Sequence, residues 1–73
     1  MAAVPKHRKI LANAIRDARK RAGYSQEKLA EKADLHPNYI GEVERAEKNI
    51  SVDALMRIAI ALKVSINDLF PGL

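Results

Sequence analysis

The chain of 73 residues contains no cysteine and no tryptophan. Without thiols there is neither a disulfide staple nor a thiolate metal site, and the two histidines, His7 and His36, are too few to build a zinc site alone. No metal or other cofactor is expected. Aromatic residues make up only 4% of the chain, and no stretch alternates apolar and polar residues long enough to read as a strand, which leaves an all-α chain. No apolar run approaches the roughly 20 residues of a membrane span, and the start Met1-Ala2-Ala3-Val4-Pro5 holds no signal-peptide apolar segment. A cytoplasmic protein without a membrane partner is the expectation. A chain near this size buries only about 60% of the surface it exposes when unfolded, too little to enclose a large catalytic cleft.

What is present is a globular balance, 48% hydrophobic and 30% charged, with a net charge of +4 that is unevenly spread. Residues 1–21 hold seven Lys and Arg against one Asp, a net of +6; the remainder holds six against eight acids, a net of −2. A basic end attracts phosphate polyanions or an acidic membrane surface, and it also serves as a solvated helix face. Charge alone does not choose among these.

Apolar spacing and punctuation divide the chain into five helices. Ile10, Leu11, Ala14, Ile15, Ala18 and Ala22 recur every three to four residues and Gly23 follows, predicting a first helix from about Lys6 to Ala22. Ser25 caps a short second helix, Gln26 to Ala33, with Leu29, Ala30 and Ala33 inward. Asp34 suits a left-handed turn and Pro37 a first helical turn, giving a third helix to about Arg45 with Ile40, Val43 and part of Tyr39 inward. Residues 46–50 read as a loop. Ser51 caps a fourth helix, Val52 to Leu62, whose core face is Val52, Leu55, Ile58, Ala59 and Leu62; Ser65 caps a last turn, Ile66 to Phe70, stopped by Pro71-Gly72. One domain over residues 6–73, preceded by a flexible stretch 1–5, is expected.

Helices two and three, about two turns each with a three- to four-residue turn between them, have helix-turn-helix dimensions. The residues sharpen this. Ile15-Arg16, Arg19 through Ala30, Ala33, Tyr39-Ile40, Val43-Glu44-Arg45 and Ile58-Ala59 with Leu62 together resemble the lambda-repressor/Cro-type helix-turn-helix family of transcription regulators, over residues 10–70. The size is similar to that of restriction–modification controller proteins. The resemblance implies a compact five-helix bundle with the third helix in the major groove of double-stranded DNA and the second across the phosphate backbone. His36, Asn38, Tyr39 and Glu42 lie away from the Ile40/Val43 stripe and carry the donors and acceptors that base edges require; Asn38 can pair bidentately with adenine and Glu42 can accept from a cytosine amino group. His36 also stands at a helix cap, Tyr39 also borders the core, and Glu42 is also an ordinary solvated charge.

Gln26 resembles the family's phosphate-clamping glutamine, at a helix N-terminus that itself favours anions. Arg45, Lys48 and Asn49 are expected to grip a second stretch of backbone, and Arg19 with Glu44 resembles the family's internal ion pair. The match has departures. Pro37 stands where many members carry a base-reading polar side chain, Ala46 where Gly is usual, and Glu47 where a base is common.

The fourth helix carries more apolar surface than a small core takes in. Met56 and Ile60, with Ile66, Leu69 and Phe70, are therefore expected to form a homodimer seam. Catalysis is not expected, since Ser25, Ser51 and Ser65 all read as helix caps with no histidine beside them. The expected function is a homodimeric regulator of transcription, a repressor or controller, binding an inverted-repeat operator without a small-molecule effector. The rival is a protein-interaction module such as an antitoxin, which Pro37, Glu42 and Glu47 favour.

Overall fold

The computed structural model describes residues 4–70, so Pro71, Gly72 and Leu73 and most of the expected N-terminal stretch lie outside the described residues. Five helices follow one another: α1 (Lys6–Arg21), α2 (Gln26–Ala33), α3 (Pro37–Glu44), α4 (Val52–Leu62) and α5 (Ile66–Leu69). No helix among the described residues is long and apolar enough to cross a membrane.

Local chemistry sets each boundary. Ser25, Ser51 and Ser65 each accept a backbone N–H of the first turn that would otherwise lack a partner, and Asp68 returns the bond to the Ser65 N–H at 2.9 Å, closing a capping box. The α1 helix stops one residue earlier than its spacing predicts. Gly23 at φ +77° lets the Tyr24 N–H reach back to the Arg19 carbonyl at 3.1 Å. Asp34 turns left-handed as expected, and so do Ala46 and Lys63.

Each helix gives one fully buried large side chain to a common centre: Ile15, Leu29, Ile40, Ile58 and Leu69. At about 1.5–3 kcal/mol for each buried aliphatic side chain, these five form the main apolar tie among the helices. Leu69 is thereby a core residue of the single chain. It has no surface to offer a dimer seam, contrary to expectation, because α5 folds back against α1 and α4. Other assignments invert as well. Val52, expected inward, is 76% exposed, since it lies four residues before Met56 and eight before Ile60 on one outer stripe. Ala54, absent from the expected core face, is buried on the row it shares with Ile58 and Leu62, and Ile10 is exposed.

Lys63 closes α4 at φ +58°, exposed, with the Val64 N–H bonded to the Ala59 carbonyl at 3.0 Å. A side chain there resists the left-handed conformation and buries little in return. Lys63→Gly is expected to raise stability by about 0.5–1 kcal/mol, read as a higher urea midpoint at unchanged slope.

Candidate nucleic-acid interface

The turn between α2 and α3 brings two helix N-termini to one side of the molecule. Ser25, Gln26 and Glu27 at the start of α2 border the same polar cleft as His36, Pro37 and Asn38 at the start of α3. Backbone N–H groups at such ends are unpaired within the helix and carry the positive pole of its dipole, so the cleft is electrostatically suited to a phosphate.

A buried carboxylate fixes this arrangement. Glu44, 5% exposed, accepts from Arg19 Nε at 2.7 Å and from Arg19 Nη2 at 2.9 Å. The remaining Arg19 nitrogen donates to the Tyr24 carbonyl at 2.9 Å, where the chain enters the turn before α2. The Glu44 hydrogen bond and charge raise the Arg19 pKa above its ordinary value, against the lowering effect of burial. Gln26 Nε2 supplies the third bond to the carboxylate at 3.1 Å. The link from Gln26 to Glu44 does not show in the sequence, and it leaves one amide hydrogen and the amide oxygen of Gln26 uncommitted.

The face of α3 turned from the core carries Pro37, Asn38, Gly41, Glu42 and Arg45, and Asn38 is exposed on it. His36 Nδ1 accepts the Asn38 N–H at 3.0 Å, so the imidazole does the cap's work with its other nitrogen outward. Tyr39 is half-buried, and its hydroxyl accepts the Ser51 N–H at 3.3 Å, tying α3 to the start of α4. Glu42 lies 3.6 Å from Lys48 Nζ. Arg45 forks onto Glu47, Nε to Oε2 at 2.9 Å and Nη2 to Oε1 at 3.1 Å. That contact raises the Arg45 pKa and holds the Glu47 carboxyl below its ordinary range. Asn49 Oδ1 accepts from Arg8 Nε at 2.9 Å, joining the α3–α4 loop to the start of α1.

Gln26, Asn38, Glu42 and Arg45 border one cleft, Lys48 adjoins it through Glu42, and Asn49 stands farther on beside Arg8; these residues differ in how free they are. Among the described residues the Asn38 side chain has no partner, whereas Gln26, Glu42, Arg45, Lys48 and Asn49 each already hold one. Sequence reasoning missed Gly41. A Cβ built there would lie 3.0 Å from Arg45 Nη1 and 3.6 Å from Gln26 Oε1, so the glycine makes room for the guanidinium across the middle of the outward face. Its signal is a glycine inside a helix, which costs about 1 kcal/mol against alanine and asks for a reason.

A helix-turn-helix family model matches residues 15–69, which span the ion pair, both short helices and all five fully buried large side chains of the core. The chain belongs to the helix-turn-helix family. It is a sequence-specific DNA-binding regulator of transcription, built on the lambda-repressor-like five-helix bundle. Among relatives, it is 44% identical over 59 residues to the control protein C.SmaI of Serratia marcescens, covering 81% of this chain and 70% of that one. It is 45% identical over 49 residues to the control protein C.BamHI of Bacillus amyloliquefaciens, covering 67% and 60%. Among solved structures, the restriction-modification controller protein C.AhdI of Aeromonas hydrophila superimposes with a TM-score of 0.84 at 33% identity, over 86% of this chain and 96% of that one.

In this helix-turn-helix protein the Arg19–Glu44 pair is buried enough for its loss to be costly. Removing one partner leaves the other charge without compensation in a poorly solvated place. Arg19→Met is expected to destabilise the fold by about 3–5 kcal/mol in urea titrations, and Arg19→Met combined with Glu44→Leu to recover much of that loss. A single variant that unfolds like the parent would contradict the burial described.

Proposed function

We propose that this regulator acts as a homodimer on an inverted-repeat operator, in the manner its likeness to control proteins suggests, with residues 6–73 carrying both DNA binding and dimerisation. The observation that carries the reading is the outward face of α3, with Asn38 free and solvent-exposed beside the paired N-termini of α2 and α3. Asn38 reads a base, most favourably an adenine through its N6 and N7, and Glu42 accepts from a cytosine amino group when Lys48 yields it. His36 and Tyr39 border the same groove as lesser contacts, one capping α3 and the other braced against Ser51. Gln26 and the α2 N-terminus hold one phosphate; Arg45, Lys48 and Asn49 hold another stretch of backbone. Neither an effector nor a cofactor has a role, and control comes through protein concentration in the cytoplasm.

Dimerisation follows from α4. Met56, 44% exposed, and Ile60, 71% exposed, stand with Val52 on one stripe at four-residue spacing, an apolar strip outside the core. Ile66 and Phe70, both half-buried, line one pocket with Val52 at the start of this strip. A two-fold axis through this strip presents α3 twice, and half-sites about 10–10.5 bp apart, or a further whole turn, bring both copies to one side of the duplex.

Two experiments test the reading. Asn38→Ala is expected to weaken the best operator by about 1–3 kcal/mol and relax preference at one base per half-site, whereas Lys48→Ala weakens all sequences alike. An unchanged preference profile for Asn38→Ala would remove α3 from base reading and favour a protein partner for this face. Ile60→Glu places like charges across the strip; sedimentation is expected to shift to monomer and operator affinity to fall, with single-half-site affinity little changed. A folded Ile60→Glu protein that stays dimeric would put the seam elsewhere.

A further inference from the structure

The outward face of α3 is nearly self-neutralised. Glu42 offsets Lys48, and Glu47 offsets Arg45. Lys28 faces Glu31 and Arg57 faces Asp53 and Asp34, so most cations beyond α1 are spent on carboxylates. A polyanion approaching α3 alone meets little net field, which leaves open where the attraction to DNA originates.

On α1 the situation is reversed. Lys6, Lys9, Arg16 and Lys20, with Asn13 among them, recur at intervals of three and four residues and so share one face of the helix. Among the described residues none of these four cations forms a salt bridge. Arg16 bonds only Asn13, its neighbour on the stripe, at 2.8 Å. Asp17, the single acid of α1, stands at the far edge of the stripe and likewise pairs with no cation among the described residues.

The position of the stripe follows from the contacts of α1. Arg8 reaches Asn49 in the α3–α4 loop, and Arg19 reaches Glu44 beside Gln26, so the two ends of α1 adjoin the two segments assigned to phosphate contacts. Leu11 lies beside Arg8, one turn on, and lines with it, Asn49, Ile66 and Phe70 a single pocket. At 3.6 residues per turn, going round α1 from Leu11 past Arg8 and Arg19 leads next to Arg16, Lys9 and Lys20. The stripe thus begins where α1 meets α3 and continues round the side of α1 next to the groove-facing surface. A helix of 16 residues is about 24 Å long, enough to overlook about seven base steps at a rise of 3.4 Å.

We infer that the Lys9/Arg16/Lys20 face of α1 is a second, sequence-independent DNA-binding surface, which grips the phosphates bordering the groove that α3 enters and supplies most of the electrostatic attraction. This rests on the proposed DNA reading of α3 and divides the labour within it: α3 selects the sequence and α1 supplies the grip. Lys6 extends the same face toward the N-terminus.

The test compares the parent with the triple variant Lys9→Gln, Arg16→Gln, Lys20→Gln, which changes two exposed positions and the half-buried Arg16, none of them in the core, on a helix that glutamine supports. A control, Arg21→Gln, Lys32→Gln, Lys63→Gln, removes the same charge off the stripe. Duplex affinity is measured from 50 to 200 mM salt on the selected operator and on a set of single-base variants of it. Each phosphate that the protein no longer neutralises lowers the salt slope by about 0.9, so three fewer per subunit shrink the salt penalty over this range by about 40-fold per subunit. The stripe variant is expected to show that reduction with an unchanged order of base preferences, and the control to keep the parent's slope. Operators with single neutral methylphosphonate linkages supply a second readout: linkages at the phosphates under the α1 stripe are expected to weaken the parent and cost the stripe variant nothing, while those at the phosphates held by Gln26, Arg45, Lys48 and Asn49 weaken both. A stripe variant that keeps the parental slope, or that remains as sensitive as the parent to every neutral linkage, overturns the inference while leaving base reading by α3 intact. A parent that binds no duplex overturns both.

Discussion

The structure turns on one buried carboxylate. Glu44 lies on α3, receives two bonds from Arg19 on α1 and a third from Gln26 at the head of α2, and so holds three helices to one another at a single point. An ion taken out of water is tolerable only when its bonding sites are filled, which makes the pair sensitive to small displacements of any of the three helices. Apolar contacts among Ile15, Leu29 and Ile40 drive the helices together but tolerate sliding and repacking. The directional bonds to Glu44 do not, and they set how the starts of α2 and α3 meet at one cleft.

The same network reaches the surface through Gln26. With one amide hydrogen fixed on Glu44, the remaining polar atoms of Gln26 are oriented before any ligand arrives, which reduces the entropy lost on binding. Arg45, Glu47, Glu42 and Lys48 likewise hold one another in place on the face of α3. Their paired charges exchange long-range attraction for defined geometry. This suits a surface that discriminates among sequences better than one that merely concentrates protein on DNA.

Much of the fold was legible because the signals were local. Serines stood at the starts of α2, α4 and α5, Pro37 stood in the first turn of α3, and Gly23 followed α1, so boundaries fell within a residue or two of those observed. Facing was less legible where helices are short or crowded with apolar residues. On α4 nearly every position is apolar, and periodicity separated Ile58 and Leu62 from the outer Met56 and Ile60 but set Val52 inward and left Ala54 off the core face, the reverse of what the structure has. In the four-residue α5 there is too little helix for a period to exist, and only the tertiary fold turns Leu69 inward. The site divides in the same way. Arg19 and Glu44 were expected together and are together, whereas the bonds of Gln26 to Glu44 and Arg8 to Asn49 depend on distances between segments that no spacing rule supplies, and that of Arg45 to Glu47 on the local turn at Ala46.

The coupling between the buried carboxylate and the proposed DNA-facing surface is tested most directly in the apolar replacement of the pair, Arg19→Met with Glu44→Leu, by measuring its operator affinity once a urea titration has established that it is folded. If Glu44 positions Gln26 for a phosphate, the replacement frees the glutamine side chain, and affinity falls by about 0.5–1.5 kcal/mol per subunit on every sequence while the order of base preferences stays the same. Full parental affinity in the folded double variant would contradict the coupling and confine the Glu44 network to holding the fold together.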